Sequence, residues 1–270
     1  QIEYEAHALR LMEGSGRTPK VLYVDGSKKI LEHGVLVMEY LPGHAMDYHT
    51  ELMLAAPCLA DIHSVPIPES EEILIHPQNP LKAILEECEE MFKVYLESPL
   101  GDGEKKTYIR ELLDLGWKRE AEIQLESGYQ CCINTELNST NLLINGEGKS
   151  NYLIDWEKPL FGNPAQDLGH FLAPTTTFWQ TDVILTSEEM EQFIDAYIKA
   201  VGNRFKTDMI REHTHAFIPI TCLRGITWCA MAWVQYQQPD KLIFNESTFK
   251  KLNAYLDMDF LKNIRAYLEP

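Results

Sequence analysis

Asn134-Thr135-Glu136-Leu137-Asn138-Ser139-Thr140-Asn141-Leu142-Leu143-Ile144, followed by Leu153-Ile154-Asp155-Trp156-Glu157, decides how this chain is read. Apolar runs at Leu142-Leu143-Ile144 and Leu153-Ile154 have the length of short strands. The polar segment before them has the composition of a turn, in which Asn, Ser and Thr cap nearby backbone groups. The same segment holds one carboxylate, Glu136, and the amide of Asn141, and fourteen residues after Asn141 comes Asp155. A turn between strands and a set of oxygen ligands are both compatible with these residues.

The segment resembles the catalytic loop and metal-binding aspartate of the aminoglycoside phosphotransferase and choline kinase family, relatives of the protein kinases. The family's loop reads H-G-D-x-H-P-x-N. In it the Asp accepts the substrate proton and the Asn binds magnesium. Laid on this chain, the pattern puts Asn134 at the first His, Glu136 at the catalytic Asp, Asn138 at the second His and Asn141 at the metal-binding Asn. Asp155 falls where the family places its chief magnesium carboxylate. Two hard oxygen ligands suit Mg2+, which usually takes one or two carboxylates plus phosphate and water. Phosphoryl transfer is mostly positioning and charge stabilisation, so so small a set can carry it. The resemblance thus implies ATP and Mg2+ as cofactors.

Glu136 is one methylene longer than Asp. Unless the loop adjusts, its carboxylate overshoots by about 1 Å, a misplacement that costs on the order of 100-fold in rate. Two functional classes follow. One is a phosphotransferase with an altered loop, and the other is a pseudokinase that binds a ligand or partner without turnover.

Further matches occur in the family's order. Gly162-Asn163-Pro164-Ala165-Gln166-Asp167-Leu168 is similar to its G-D-P-A-x-D-L segment, which implies that Asp167 braces the catalytic loop. By residue chemistry Asp167 would also serve as a helix N-cap. Gly34-Val35-Leu36-Val37-Met38-Glu39-Tyr40-Leu41-Pro42-Gly43 reads as a buried strand ending in a Pro-Gly break. It resembles the hinge between two kinase lobes. The resemblance implies Met38 against adenine, with the Glu39 C=O and Leu41 N–H pairing with its edge. Tyr4-Glu5-Ala6-His7-Ala8-Leu9 resembles the family's R-E-x-x-A-L helix, in which the Glu, here Glu5, pairs with a phosphate-gripping lysine on an earlier strand. Only four residues precede Glu5, so the expectation is a fragment of a longer enzyme that binds ATP poorly by itself. Bare edges on strands 21–24 and 35–40 favour that explanation over a natural chain lacking those strands. Glu13-Gly14-Ser15-Gly16-Arg17 reads as a helix C-cap and turn.

Composition narrows the partners. With 45% hydrophobic residues, 270 residues can bury a sizeable core. Lys and Arg total 24 against 41 Asp and Glu, a net charge of −17 that argues against nucleic acid or anionic membrane. It would suit a cationic small-molecule acceptor, or simply keep the protein soluble. Six cysteines without C-x-x-C spacing read as reduced thiols in a cytoplasmic protein. The apolar stretch 216–234 is long enough to span a bilayer, but Pro219 and Arg224 interrupt it and favour a buried helix.

Helices are expected over 52–63, 80–97, 105–125, 187–201, 208–237 and 247–268, with a Pro-rich connector at 65–80. The first ends in His63, which reads as a core histidine. His213 and His215 lie two apart, on different faces of a helix, and cannot share a metal. Trp179, Trp228, Trp233 and Tyr236 pack a core or cage a quaternary ammonium. The fold that results is α+β and protein-kinase-like, two-lobed, with a reduced N-terminal lobe (1–43) and a mostly helical C-terminal lobe (44–270). The expected activity is ATP-dependent phosphorylation of a hydroxyl on a small cationic molecule.

Overall fold

The computed structural model describes residues 1–29, 31–125, 128–238 and 244–269. The first helix, α1 (Ile2–Met12), turns Ala6, Ala8, Leu9 and Met12 inward. A short 3-10 turn at Glu13–Ser15 follows and closes on Gly16 at φ 65°, so the expected C-cap is present. Left-handed backbone of this kind costs glycine nothing.

Strands β1 (Val21–Asp25) and β2 (Val35–Met38) pair antiparallel, and α1 packs against them. The hinge-like segment is therefore a strand, but it is not a buried one. Val37 and Met38 are 43% and 37% exposed, because a two-stranded sheet with one helix behind it shelters only part of its surface. At Gly43, φ 135°, the chain passes so close to Leu143 that an added Cβ would sit 2.9 Å from that side chain. Glycine lets the strand exit lie against the large lobe.

There, β3 (His44–Ala45) pairs with β5 (Leu142–Ile144), which pairs with β6 (Tyr152–Leu153). A second ladder joins β4 (Cys131–Ile133) to β7 (Leu160–Gly162). The second ladder is mostly buried, whereas β3 leaves the edge of the first exposed. Around them stand α2 (Leu52–His63), α3 (Pro80–Glu97), α4 (Gly103–Glu122), α5 (Pro164–Leu172), α6 (Pro174–Thr181), α7 (Ser187–Val201), α8 (Ile210–Tyr236), α9 (Glu246–Tyr255) and α10 (Met258–Leu268). The expected helix at 247–268 is two helices, because Asp257 caps a new start by accepting from Asp259 N. The expected 105–125 helix begins two residues earlier, where Asp102 accepts from Lys105 N.

Helix α8 is the central post, packed against α3 and α5. Its mean hydropathy of 1.4 over an apolar window would suit a membrane span, yet 72% of that window is buried inside the protein. Pro219 and Arg224 sit within a core helix, as the sequence suggested. All six cysteines are buried free thiols. His213 pairs with Asn163 in the interior while His215 pairs with Glu191 outside, which confirms that they share no site.

Candidate active site

The loop between β4 and β5 owes its shape to one buried side chain. Asp167, 0% exposed, accepts from the backbone N–H of Asn134 through Oδ2 (2.8 Å) and from that of Thr135 through Oδ1 (2.7 Å). Thr135 has φ 69°, a conformation that non-glycine residues rarely adopt and that the surroundings must hold. His63 Nε2 donates to Asp167 Oδ2 (3.1 Å), and its Nδ1 accepts from Tyr197 (2.8 Å). His63 is therefore a satisfied core histidine that also steadies the brace. The N-cap of α5 is Asn163, which accepts from Ala165 N, so the alternative role for Asp167 as a cap is corrected. Asp167 sits one turn further on, where its carboxylate reaches the loop.

Leu137, fully buried, pins the loop's middle. Asn138 closes it as a local turn, donating to Glu136 O (3.0 Å) and accepting from Thr140 N (2.9 Å). Asn141 and Asp155 are brought together by the β5–β6 hairpin, in which Leu142 faces Leu153 and Ile154 N donates to Asn141 O (2.9 Å). Asn141 Nδ2 donates to Glu136 O (3.1 Å), which leaves its Oδ1 for a ligand. Asn134 Nδ2 donates to Asp155 O (2.7 Å), tying the two halves of the site directly. Asp155 also has a left-handed backbone, φ 64°. Crowding by protein atoms, then by Glu157 and Glu136, pushes its carboxyl above the usual range, with Lys158 and Asn141 opposing. Glu5 is pushed the same way by burial and by Asp155 and Glu157, and it makes no ion pair among the described residues.

Such a donor set fits magnesium. It offers one carboxylate and one amide oxygen, among carboxylates that a cation would relieve. Among the described residues no group of three His, Cys, Asp or Glu side chains could hold a metal alone.

Glu136 is not a free base. Its Oε1 meets Lys158 Nζ at 2.7 Å and Arg224 at 3.5 Å, and Arg224 in turn bonds Glu87 at 2.8 Å. On the hinge, Glu39 N donates to Lys20 O (2.8 Å), while the Glu39 C=O and Leu41 N–H make no backbone hydrogen bond among the described residues. A cavity of about 220 Å³ opens beside Glu136, lined also by Lys158, Arg224, His170, Trp179 and Trp228. A second, of about 190 Å³, shares Lys158, His170 and Arg224 with it.

The phosphotransferase enzyme family model matches residues 1–212. The chain belongs to that family. Similar solved structures include spectinomycin phosphotransferase in complex with ADP and spectinomycin, at 16% identity and TM-score 0.65, covering 98% of this chain and 82% of that one. The Plasmodium vivax ethanolamine kinase matches at 16% identity and TM-score 0.67, over 98% of this chain and 73% of its own. Choline kinase from Cryptosporidium parvum Iowa II matches at 12% identity and TM-score 0.67, over 99% and 78%. At such identities these structures establish the fold, which is α+β and kinase-like. No curated protein matches in sequence.

In this member of the family the structure unites Glu136, Asn141, Asp155 and Asp167, and brings Glu5 near Asp155. Met38, Glu39 and Leu41 stand apart at the end of β2. Lys158, Arg224 and Glu87 were not foreseen as site residues. One signal pointed to them: Arg224 is a charge in the middle of an apolar helix, where burial demands a partner. The four-membered aromatic group separates. Trp179 and Trp228 line the cavity, whereas Trp233 packs on Tyr95 and Tyr236 on Phe249.

Proposed function

We propose that the chain transfers the γ-phosphoryl group of ATP to a hydroxyl of a small molecule bound in the cavity beside Glu136. The carrying observation is that Glu136, Asn141, Asp155 and Asp167 form one unit hydrogen-bonded through Asn134, and that Glu136 lines that cavity. Glu136 orients the hydroxyl and accepts its proton. Magnesium would be held by Asn141 Oδ1 and the Asp155 carboxylate, where it would offset phosphate charge. Adenine would pair with the Glu39 C=O and Leu41 N–H and lie against Met38, with Glu5 supporting the phosphate side. On this proposal residues 1–43 belong to the nucleotide lobe and 44–270 to the catalytic and acceptor lobe. A charge of −17 fits neither nucleic acid nor an anionic membrane as partner, and buried free thiols suit the cytoplasm. The same charge would draw a cationic acceptor toward the protein, but the cavity wall decides what is held.

The test is ADP release from Mg-ATP across a panel of aminoglycosides, choline and sugars, with Glu136→Ala as control. Release stimulated by an acceptor and lost in the variant is expected; no transfer to any member would sink the proposal. One observation favours a second reading, a pseudokinase that binds without turnover: the ion pairs of Lys158 and Arg224 occupy the carboxylate that should take the proton. Glu136→Asp separates the two. Shortening the side chain should raise turnover of an active but detuned site by about tenfold or more, and should leave a non-catalytic protein silent.

A further inference from the structure

The acceptor cavity differs in charge from the protein around it. The chain carries −17, yet each carboxylate on this wall already has a cation: Glu136 with Lys158 at 2.7 Å, and Glu87 with Arg224 at 2.8 Å. An ammonium group entering here would meet no free carboxylate and would face Lys158 and Arg224. An anion would find both cations equally committed. Recognition of either charge would require breaking an existing pair, which leaves a partly buried ion uncompensated.

The remaining wall is neutral and hydrogen-bonding. Burial, together with Arg224 and Lys158, holds the His170 ring uncharged, its pKa lowered to about 3. The His170 ring and the hydroxyls of Thr176 and Thr221, which line the cavity, make no side-chain hydrogen bond among the described residues. Beside them, on the same faces of α6 and α8, is an aromatic surface. Trp228, 42% exposed, stands edge-to-face with Trp179 at 5.2 Å. Helices α6 and α8 hold this wall together by close approach, since a Cβ at Gly225 would lie 2.6 Å from Thr175. An apolar face bordered by neutral donors and acceptors matches a ring whose faces are C–H and whose rim is hydroxyl. A volume of about 220 Å³ lies below the roughly 300–1,000 Å³ of drug-sized pockets and suits one ring.

We propose that the acceptor is an uncharged, polyhydroxylated single ring of the monosaccharide type, stacked on Trp228 with one hydroxyl presented to Glu136. This rests on the phosphotransferase reading above. In the reaction, the acceptor oxygen forms a bond to the γ-phosphorus as the bond to the bridging β–γ oxygen breaks. ADP leaves with that electron pair, and the hydroxyl proton passes to Glu136.

The test is saturation-transfer NMR and calorimetric titration of the whole chain, without nucleotide or metal. The probes are glucose, galactose and ribose, with glucosamine, galactosamine, choline and glucose 6-phosphate as charged counterparts. At least one uncharged ring should bind at least about tenfold tighter than its charged counterparts, at millimolar concentration or below. Trp228→Ala should weaken that binding by about tenfold with an unchanged circular dichroism spectrum. Arg224→Gln, which frees Glu87, should shift preference toward the amino sugar by about tenfold. Tighter binding of an amine or a phosphate, binding indifferent to Trp228, or no binding by any uncharged ring would overturn the assignment. Because nucleotide is absent, failure of transfer from ATP leaves this result standing. Turnover of an amine would end this proposal and leave phosphoryl transfer intact.

Discussion

Around Asp167 the polar groups are partnered within the protein, whereas around Asp155 the carboxylates of Glu5 and Glu157 crowd together and Glu5 has no ion pair among the described residues. The first region is built like a core, with Asp167 and His63 fully buried. The second is built like a receptor, in which carboxyls are held in a state that an incoming cation would relieve. The contrast teaches that the chain preorganises the geometry of its loop by itself and leaves the carboxylates around Asp155 without full balancing charge.

The largest effect should come from breaking the built-in half. Asp167→Ala strands two buried backbone N–H groups and His63 Nε2, and should lower unfolding free energy by about 3–5 kcal/mol in a denaturant titration. A drop below about 1 kcal/mol would mean that the loop does not depend on its brace.

Next comes the ligand-dependent half. Asp155→Asn should cost about 100-fold or more in metal-dependent transfer, yet leave the melting temperature of the ligand-free protein unchanged or raised, since it removes one of the crowded charges. A fall in stability comparable to that of Asp167→Ala would erase the distinction between the halves.

The smallest effect concerns pH. Glu5 and Asp155 both have folded-state pKa values raised above the ordinary range, chiefly by burial and then by neighbouring carboxylates. Their protonated forms favour folding, so their contribution is fully present below the unfolded carboxyl pKa and is lost as pH rises through the raised folded values. Ligand-free protein should therefore lose a little stability across that window, and Glu5→Gln should flatten the slope. An unchanged slope in the variant would show that Glu5 takes no part in the crowding.

Much of the half around Asp155 was legible because its residues are close in sequence and fixed by hairpin register. Asn141 and Asp155 meet because Leu142 and Leu153 pair, and short strands with a turn between them are written in local residue types. The ion chain from Glu87 through Arg224 and Glu136 to Lys158 was not legible. It joins α3, a loop and α8 across as many as 137 positions, and no local pattern encodes such a meeting. Helical geometry also explains the divided aromatics. Trp228 and Trp233 are five residues apart on α8, about 140° around its axis at 3.6 residues per turn. The exposure of Met38 was missed because an apolar run of that length reads the same whether one face or both are covered.

Tyr4 ties the two sides of the cleft. Its hydroxyl donates to Pro159 O (2.6 Å) and accepts from Ile75 N (3.1 Å), one residue before Glu5 and one residue after Lys158. The helix that carries Glu5 and the segment that carries Lys158 thus share a mooring. Neither α1 nor the segment that carries Lys158 can shift against the other without breaking this hydrogen bond, so one hydroxyl fixes the spacing between Glu5 and Lys158.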